Sequence, residues 1–237
     1  MLAFDAIRAR AAGRKGGEAA LARLLPKPVT PTQLAVLRDD RVLAEMTKRI
    51  FCSGFAWTVI EQKWPAFEAA FLGFDPPRLL RQTPDFWDAL TADARIVRNG
   101  QKILSVAANA RFITYIAAEH GSFGRFLAGW PVTDQVGLLA LLARSGSRLG
   151  GNTGQYLLRF LGKDGFMLSR DVVRCLRDAG LDIAEQPTSK RDLANIQQQF
   201  NAWADATKLP YTHLSRICAM SIGENYPVER LEAYVSG

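Results

Sequence analysis

Residues 144–176 read RSGSRLGGNTGQYLLRFLGKDGFMLSRDVVRCL. This stretch decides the fold, because it joins helical segments through glycine corners instead of strand turns. A helix ends at Ser145-Gly146, Leu149-Gly150-Gly151 makes a tight turn, and Asn152 or Thr153 caps a new helix carrying Tyr156, Leu157 and Phe160. Glycine reaches φ > 0 and lets another backbone come close. The first turn of the next helix aims unpaired N–H groups outward. Together these make a seat for a phosphate. Arg144, Arg148, Arg159, Lys163, Arg170 and Arg174 face only Asp164 and Asp171 in this stretch, a net +4. A helix corner whose glycines serve only packing is the plainer reading of the same residues.

Outward from the hairpin, almost every segment has helical period. Leu34, Leu37, Val42 and Met46 form one apolar stripe, Phe51, Phe55, Val59 and Ile60 a second, and Phe67, Phe71 and Phe74 a third before Asp75-Pro76-Pro77. Residues 85–90, 96–116, 136–142, 154–161, 168–176, 191–207 and 214–222 continue the pattern. Alternating β-branched runs are almost absent. The expectation is an all-α bundle of roughly ten helices. Residues 1–30 stand apart as a basic N-terminal helix or arm, loosely packed and ending at Pro26 and Pro28. Residues 31–237 make a single helical domain with its hairpin at 146–154. Thr30 before Pro31 reads as an N-cap with proline at the first helical position.

Composition bounds the function. The chain has 237 residues, 48% apolar and 22% charged, which is normal for a globular protein and argues against disorder or a disulfide scaffold. Thirty Lys+Arg against 23 Asp+Glu leave +7, which favours a polyanionic partner. Apolar runs such as Leu138 to Ala143 are far below the ~18 residues of a membrane span. Cys52, Cys175 and Cys218 are scattered and read as reduced, buried small hydrophobes, and only His120 and His213 accompany them. No metal site and no cofactor are expected.

The order of motifs resembles the helix–hairpin–helix DNA glycosylases, and within them the type I DNA-3-methyladenine glycosylases. Gly151-x-Thr153-x-x-Tyr156, Gly162, Phe166-Met167-Leu168 and Val172-x-Arg174-x-Leu176 follow the superfamily hairpin and the basic helix after it. Upstream, Asp40-x-x-Leu43-x-Glu45, Gly54-Phe55-Ala56-Trp57-Thr58-Val59-Ile60, Phe71-x-x-Phe74-Asp75-Pro76, Ile96-Val97-Arg98-Asn99-x-x-Lys102-Ile103, Asn109-Ala110 and His120-Gly121-Ser122-Phe123 match the type I branch, about 39–178 in all. The chain also departs from it. The family's zinc ligands have no counterpart, Arg49 stands where the family has a carboxylate eight residues before its stacking tryptophan, and Ser169 fills the superfamily's aspartate slot.

The resemblance implies a helix–hairpin–helix DNA glycosylase-like helical bundle. It implies a monofunctional hydrolase that cuts the N-glycosidic bond of an alkylated, 3-methyladenine-like purine in double-stranded DNA and leaves an abasic site. The partners are then duplex DNA and the damaged purine base, with no membrane. The protein would be a monomer, cytoplasmic and nucleoid-associated. Such chemistry needs a flipped, stacked base, a stabilised oxocarbenium charge and gripped phosphates. Trp57 and Tyr156 would bind the base, although both also fit as core aromatics. Asp171, beside the aspartate slot, and Glu61, one turn after Trp57, are the candidate catalytic acids. Their plainer readings are a helix-start acid and a surface ion-pair partner. Arg148, Leu149, Gly150, Gly151, Asn152, Thr153, Lys163 and Arg170 are the candidate DNA-binding set. The rival reading is a catalytically inactive DNA-binding module that kept the fold and lost the carboxylate.

Overall fold

The computed structural model describes residues 3–232. Among these residues there is no strand, and fifteen α-helices with two short 3-10 turns carry the secondary structure. The helices outnumber the expectation because segments as brief as Pro31–Ala35 and Pro76–Leu80 are too short to show a repeat. The chain opens with α1 (Phe4–Lys15) and α2 (Glu18–Arg23). It continues through α3 (Pro31–Ala35), α4 (Asp39–Cys52), α5 (Trp57–Ala70), α6 (Pro76–Leu80), α7 (Pro84–Ala92), α8 (Gly100–His120), α9 (Phe123–Gly129), α10 (Gln135–Ser145) and α11 (Asn152–Phe160). It closes with α12 (Arg170–Asp178), α13 (Lys190–Thr207), α14 (Tyr211–Ser221) and α15 (Val228–Glu232). No single helix among the described residues is long and apolar enough to cross a membrane.

The helices group into two compact units, each with its own apolar cluster. The central unit takes 29–131 and 137–163, and the terminal unit takes the described parts of 1–28, 132–136 and 164–237. This differs from an arm followed by one domain. The first break falls close to the expected one, but residues before it belong with the C-terminal helices.

In the central unit, Phe51 and Ile60 of the second stripe join the third in the core, while Phe55 and Val59 stay exposed. Phe51, Phe67, Phe71, Phe74 and Phe123 are all completely buried, each contributing ~1.5–3 kcal/mol by leaving water. Trp64 stacks on Phe67 and Phe74 at 5.5 and 5.4 Å. Start signals hold where the sequence places them. Thr30 accepts from the backbone N–H of Gln33, while the Gln33 side chain accepts from that of Thr30, a reciprocal cap with Pro31 at the first helical position. Asn99 and Ser122 cap α8 and α9 with their side chains alone, accepting from the N–H groups of Lys102 and Arg125.

The terminal unit shows why the N-terminal segment is not a loose arm. Phe4, Ile7, Ala11 and Ala12 of α1 are buried in a cluster with Leu214, Ile217 and Cys218 of α14. Phe166 stacks on Phe200 at 4.4 Å. The cations of the segment have partners within the unit. Arg10 pairs with Asp178 at 2.7 Å, and Arg14 donates to the carbonyls of Met220 and Gly223. The buried Lys15 ammonium donates to Asn225 Oδ1 and the Tyr226 carbonyl, both at 2.7 Å. Asp164 accepts from the N–H groups of Tyr211 and Thr212, so it caps α14 from a distant part of the chain.

At Gly124 helix α9 packs closely on the α3 segment. A Cβ there would lie 2.5 Å from the Leu34 carbonyl and 2.8 Å from that of Leu37, both backbone atoms that cannot swing away. Gly124→Ala is expected to cost ~1–3 kcal/mol by forcing α9 off α3. Guanidinium denaturation checks it, and an unchanged midpoint would mean that α3 gives way freely.

Candidate active site

Alpha-helical spacing places Glu45 and Arg49 one turn apart on α4, on a face the fold buries. Arg49 Nε lies 2.6 Å from Glu45 Oε1, and only 3% of the arginine side chain is exposed. Its guanidinium carbon is 3.8 Å from the Phe160 ring centroid and 4.9 Å from that of Trp57. Arg49 Nη1 is buried and has no hydrogen-bond partner among the described residues.

Three aromatic side chains cover this pair. Trp57 begins α5, and Tyr156 and Phe160 lie one turn apart on α11. Trp57 meets Tyr156 edge-on at 5.4 Å and Phe160 at 5.6 Å. All three are large apolar groups left open to solvent, at 39%, 37% and 42% exposure. Phe55 and Val59 extend the exposed patch. An open aromatic group above a buried, incompletely satisfied cation is suited to a flat, polar-edged ligand.

The electrostatics follow from burial. Desolvation raises the Glu45 carboxyl above the ordinary glutamate range; Arg49 and Lys48 oppose this, and the Glu61 charge adds to it. Glu61 itself is half exposed and 2.7 Å from Lys48 Nζ, the plain surface pair that the sequence also allows. Burial also raises the Cys52 thiol, so it is no ready nucleophile. Lys102 closes the C-terminal end of α4. Its ammonium donates to the carbonyls of Phe51 and Ser53 and lies 4.8 Å from the Phe55 ring, with desolvation lowering its pKa. The turn at Gly54, with φ +81°, then leads directly into Trp57.

The hairpin has the expected glycine geometry and a different cap. Gly151, with φ 57° and ψ −135°, is itself the N-cap of α11, and no side chain caps the helix. Asn152 and Thr153 are therefore the first helical residues, and their N–H groups belong to the first turn. Gly150, Gly151, Asn152 and Arg148 are exposed. Arg148 holds φ +61° and its side chain donates to Gln101. Two members of the DNA-binding set are turned inward. The Leu149 side chain is part of the central core, and Lys163 is buried with its ammonium on the carbonyls of Leu127 and Trp130 at 2.9 and 2.6 Å. Neither side chain reaches a surface ligand.

Arg170 and Asp171 belong to the terminal unit. Arg170 is exposed at the first turn of α12, where Ser169 serves as N-cap by accepting from Val172. The Asp171 carboxylate lies against Gly223, close enough that a Cβ there would be 2.4 Å from its Oδ1. The structure thus gathers Trp57 and Tyr156 with Glu45, Arg49 and Phe160. The last three are absent from the sequence-based set, although i,i+4 spacing from one another or from Tyr156 was available to find them.

Comparison with known proteins agrees with the resemblance. Residues 34–140 match the family model described as methyladenine glycosylase. Among solved structures, a 3-methyladenine DNA glycosylase I in complex with 3-methyladenine is similar at 21% identity, covering 58% of this chain and 81% of that one with a TM-score of 0.48. The 3-methyladenine DNA glycosylase I from Staphylococcus aureus is similar at 22% identity over 58% and 80%, also with a TM-score of 0.48.

Asn109 ties the hairpin to α8. Its Nδ2 donates to the Ser147 carbonyl at 3.1 Å, and its Oδ1 accepts from the Ser147 N–H at 2.8 Å. Asn109→Ala leaves both backbone groups without this partner and should cost ~2–3 kcal/mol. Hydrogen exchange at 146–151 should accelerate; unaltered protection would show that the hairpin holds itself.

Proposed function

We infer that this chain, whose residues 34–140 match the methyladenine glycosylase family model, is a DNA repair glycosylase that hydrolyses the N-glycosidic bond of an alkylated purine. It acts on double-stranded DNA and leaves an abasic site. It works as a monomer in the cytoplasm, on nucleoid DNA, and needs no cofactor. The observation that carries the reading is the exposed Trp57–Tyr156–Phe160 group over the Glu45–Arg49 pair, within and beside the matched segment.

A purine inside a duplex cannot be reached, so the nucleotide is flipped out and its base stacked on Trp57, with Tyr156 and Phe160 completing the walls. As the bond from the base nitrogen to C1′ breaks, its electron pair leaves with the base and positive charge grows on the sugar. Glu45, as carboxylate, faces that charge in a partly dry site, where its effect is greatest in the transition state. Water supplies the oxygen that bonds to C1′, and the carboxylate takes its proton. Glu61 is the second acid of this group, at the rim, and tunes Glu45 through its charge. Asp171 is the acid to test in the terminal unit. The turn at Gly150, Gly151, Asn152 and Thr153 seats a DNA phosphate at the start of α11, with Arg148 beside it, and Arg170 is the cation to test in the terminal unit.

Release of free base from alkylated duplex DNA tests the reading. Glu45→Gln should slow release ~10²-fold or more with DNA affinity little changed. Glu61→Gln and Asp171→Asn should each be much milder. Trp57→Ala should lose ~1–3 kcal/mol of binding, mainly for lesion-containing DNA. Parental rates in Glu45→Gln would move the chemistry to another acid, and DNA binding with no release from the parent would establish the binding module instead.

The pH profile gives a separate check. The active form is the ionised carboxylate, and its folded pKa is raised. Release should therefore be full above that pKa and fall as pH drops through it, with the acid limb displaced upward from the ordinary glutamate range. An acid limb at or below the ordinary range would exclude Glu45 as the group that must ionise.

A further inference from the structure

Helix α11 turns one stripe to the surface. Asn152, Tyr156 and Arg159 recur at i, i+4 and i+7 and share a face, while Gly154, Gln155, Leu157 and Leu158 are buried on the other. Asn152 and Tyr156 are exposed and Arg159 is half-buried. The stripe begins at the hairpin and ends at the aromatic group, because Phe160 follows Arg159 and meets Trp57 at 5.6 Å. Arg159 has no hydrogen-bond or ion-pair partner among the described residues. Arg38, Arg41, Arg49 and Arg95 of the same unit each have a carboxylate partner. No Asp or Glu stands between Gln135 and Lys163 to serve Arg159 from its own stretch. Desolvation lowers its pKa and Tyr156 opposes this, yet a guanidinium stays charged. The result is a permanent cation, half out of water, with no counter-charge.

An anion arriving from outside would supply that counter-charge. A long cation lays its stem on apolar surface and keeps its head toward water, so a ligand reaches Arg159 without parting the rings. Seven residues at 1.5 Å put Arg159 roughly 10 Å along the helix axis from Asn152, about three nucleotide steps of one strand. With one phosphate at the hairpin and the base on Trp57 and Tyr156, the anion brought to Arg159 is another phosphate of the same strand. We propose that Arg159 is a positioning residue that grips a phosphate adjoining the flipped nucleotide, so that α11 holds the strand at its first turn and again at its last. The assignment rests on reading the aromatic group as the base site. Such a contact fixes the register of the sugar over that site and takes no part in choosing the base.

Binding of the full chain to a duplex carrying a tetrahydrofuran abasic analogue tests this without hydrolysis. Each phosphate around the analogue is replaced in turn by an uncharged methylphosphonate. In the parent, neutralising one of the two phosphates that adjoin the analogue should cost about tenfold in affinity, the scale of one charge-assisted hydrogen bond. Arg159→Gln should lose about as much and become indifferent, within about twofold, to that replacement. Its salt slope should shrink by about one, as for one phosphate contact removed. Arg159→Lys keeps the charge and should keep the sensitivity. An arginine that only packs would leave the methylphosphonate pattern and the slope unchanged in Arg159→Gln, and that result overturns the proposal. If the glutamine variant fails to fold, as circular dichroism would show, the parental pattern decides: loss at an adjoining phosphate supports the grip, and no loss at either, or no duplex binding, overturns it. Release of free base from alkylated duplex is scored on the same preparations. Release with a pattern that ignores Arg159 sinks the grip and leaves the glycosylase reading; an Arg159-dependent pattern without release from any duplex does the opposite.

Discussion

The central unit depends on a charge pair held one turn apart inside a helix face. Arg49 is removed from water and Glu45 mostly so, and their mutual attraction offsets only part of that cost. The arrangement persists because the surroundings add compensations. Phe160 and Trp57 take the guanidinium against their faces, Lys48 adds a nearby positive charge, and Lys102 fixes the helix end that leads to Trp57. A hydrophobic pair of similar volume would give an equal or better core by this reasoning. The retention of a costly pair beneath exposed aromatics is the physical argument that the place is for binding.

The same pair sets two opposite charges on one face of α4. The resemblance places a carboxylate where Arg49 stands. Here the acid nearest that position on α4 is Glu45, one turn earlier, and it pairs with Arg49. Positions four apart share a helix face, so Glu45 and Arg49 share their surroundings.

The sequence made the helical class legible through its apolar periods, and the caps at Thr30 and Asn99 through their local chemistry. Trp57 and Tyr156 stand in the motifs quoted from the sequence, and the structure brings their rings to 5.4 Å. What motif order could not convey was direction. Leu149 and Lys163 lie in a basic, glycine-rich stretch, yet both side chains point inward. The partition into two units was also hidden, because α1 and α14 are distant in sequence and their shared cluster is visible only once both are folded. The basic N-terminal segment looked like a surface arm because its counter-groups, Asp178, Asn225 and the carbonyls of 220–226, lie at the other end of the chain.

That last feature sets an order of events on the ribosome. The central unit is almost continuous, so its contacts become available as residue 163 emerges. Helix α1 is made first and finds α14 only about 200 residues later, roughly 10–40 s at ordinary elongation rates. During that interval its apolar face and its cations are presented together on a nascent chain. The segment whose cations end on partners from the far end of the chain is, for most of its synthesis, open to chaperones and to stray association.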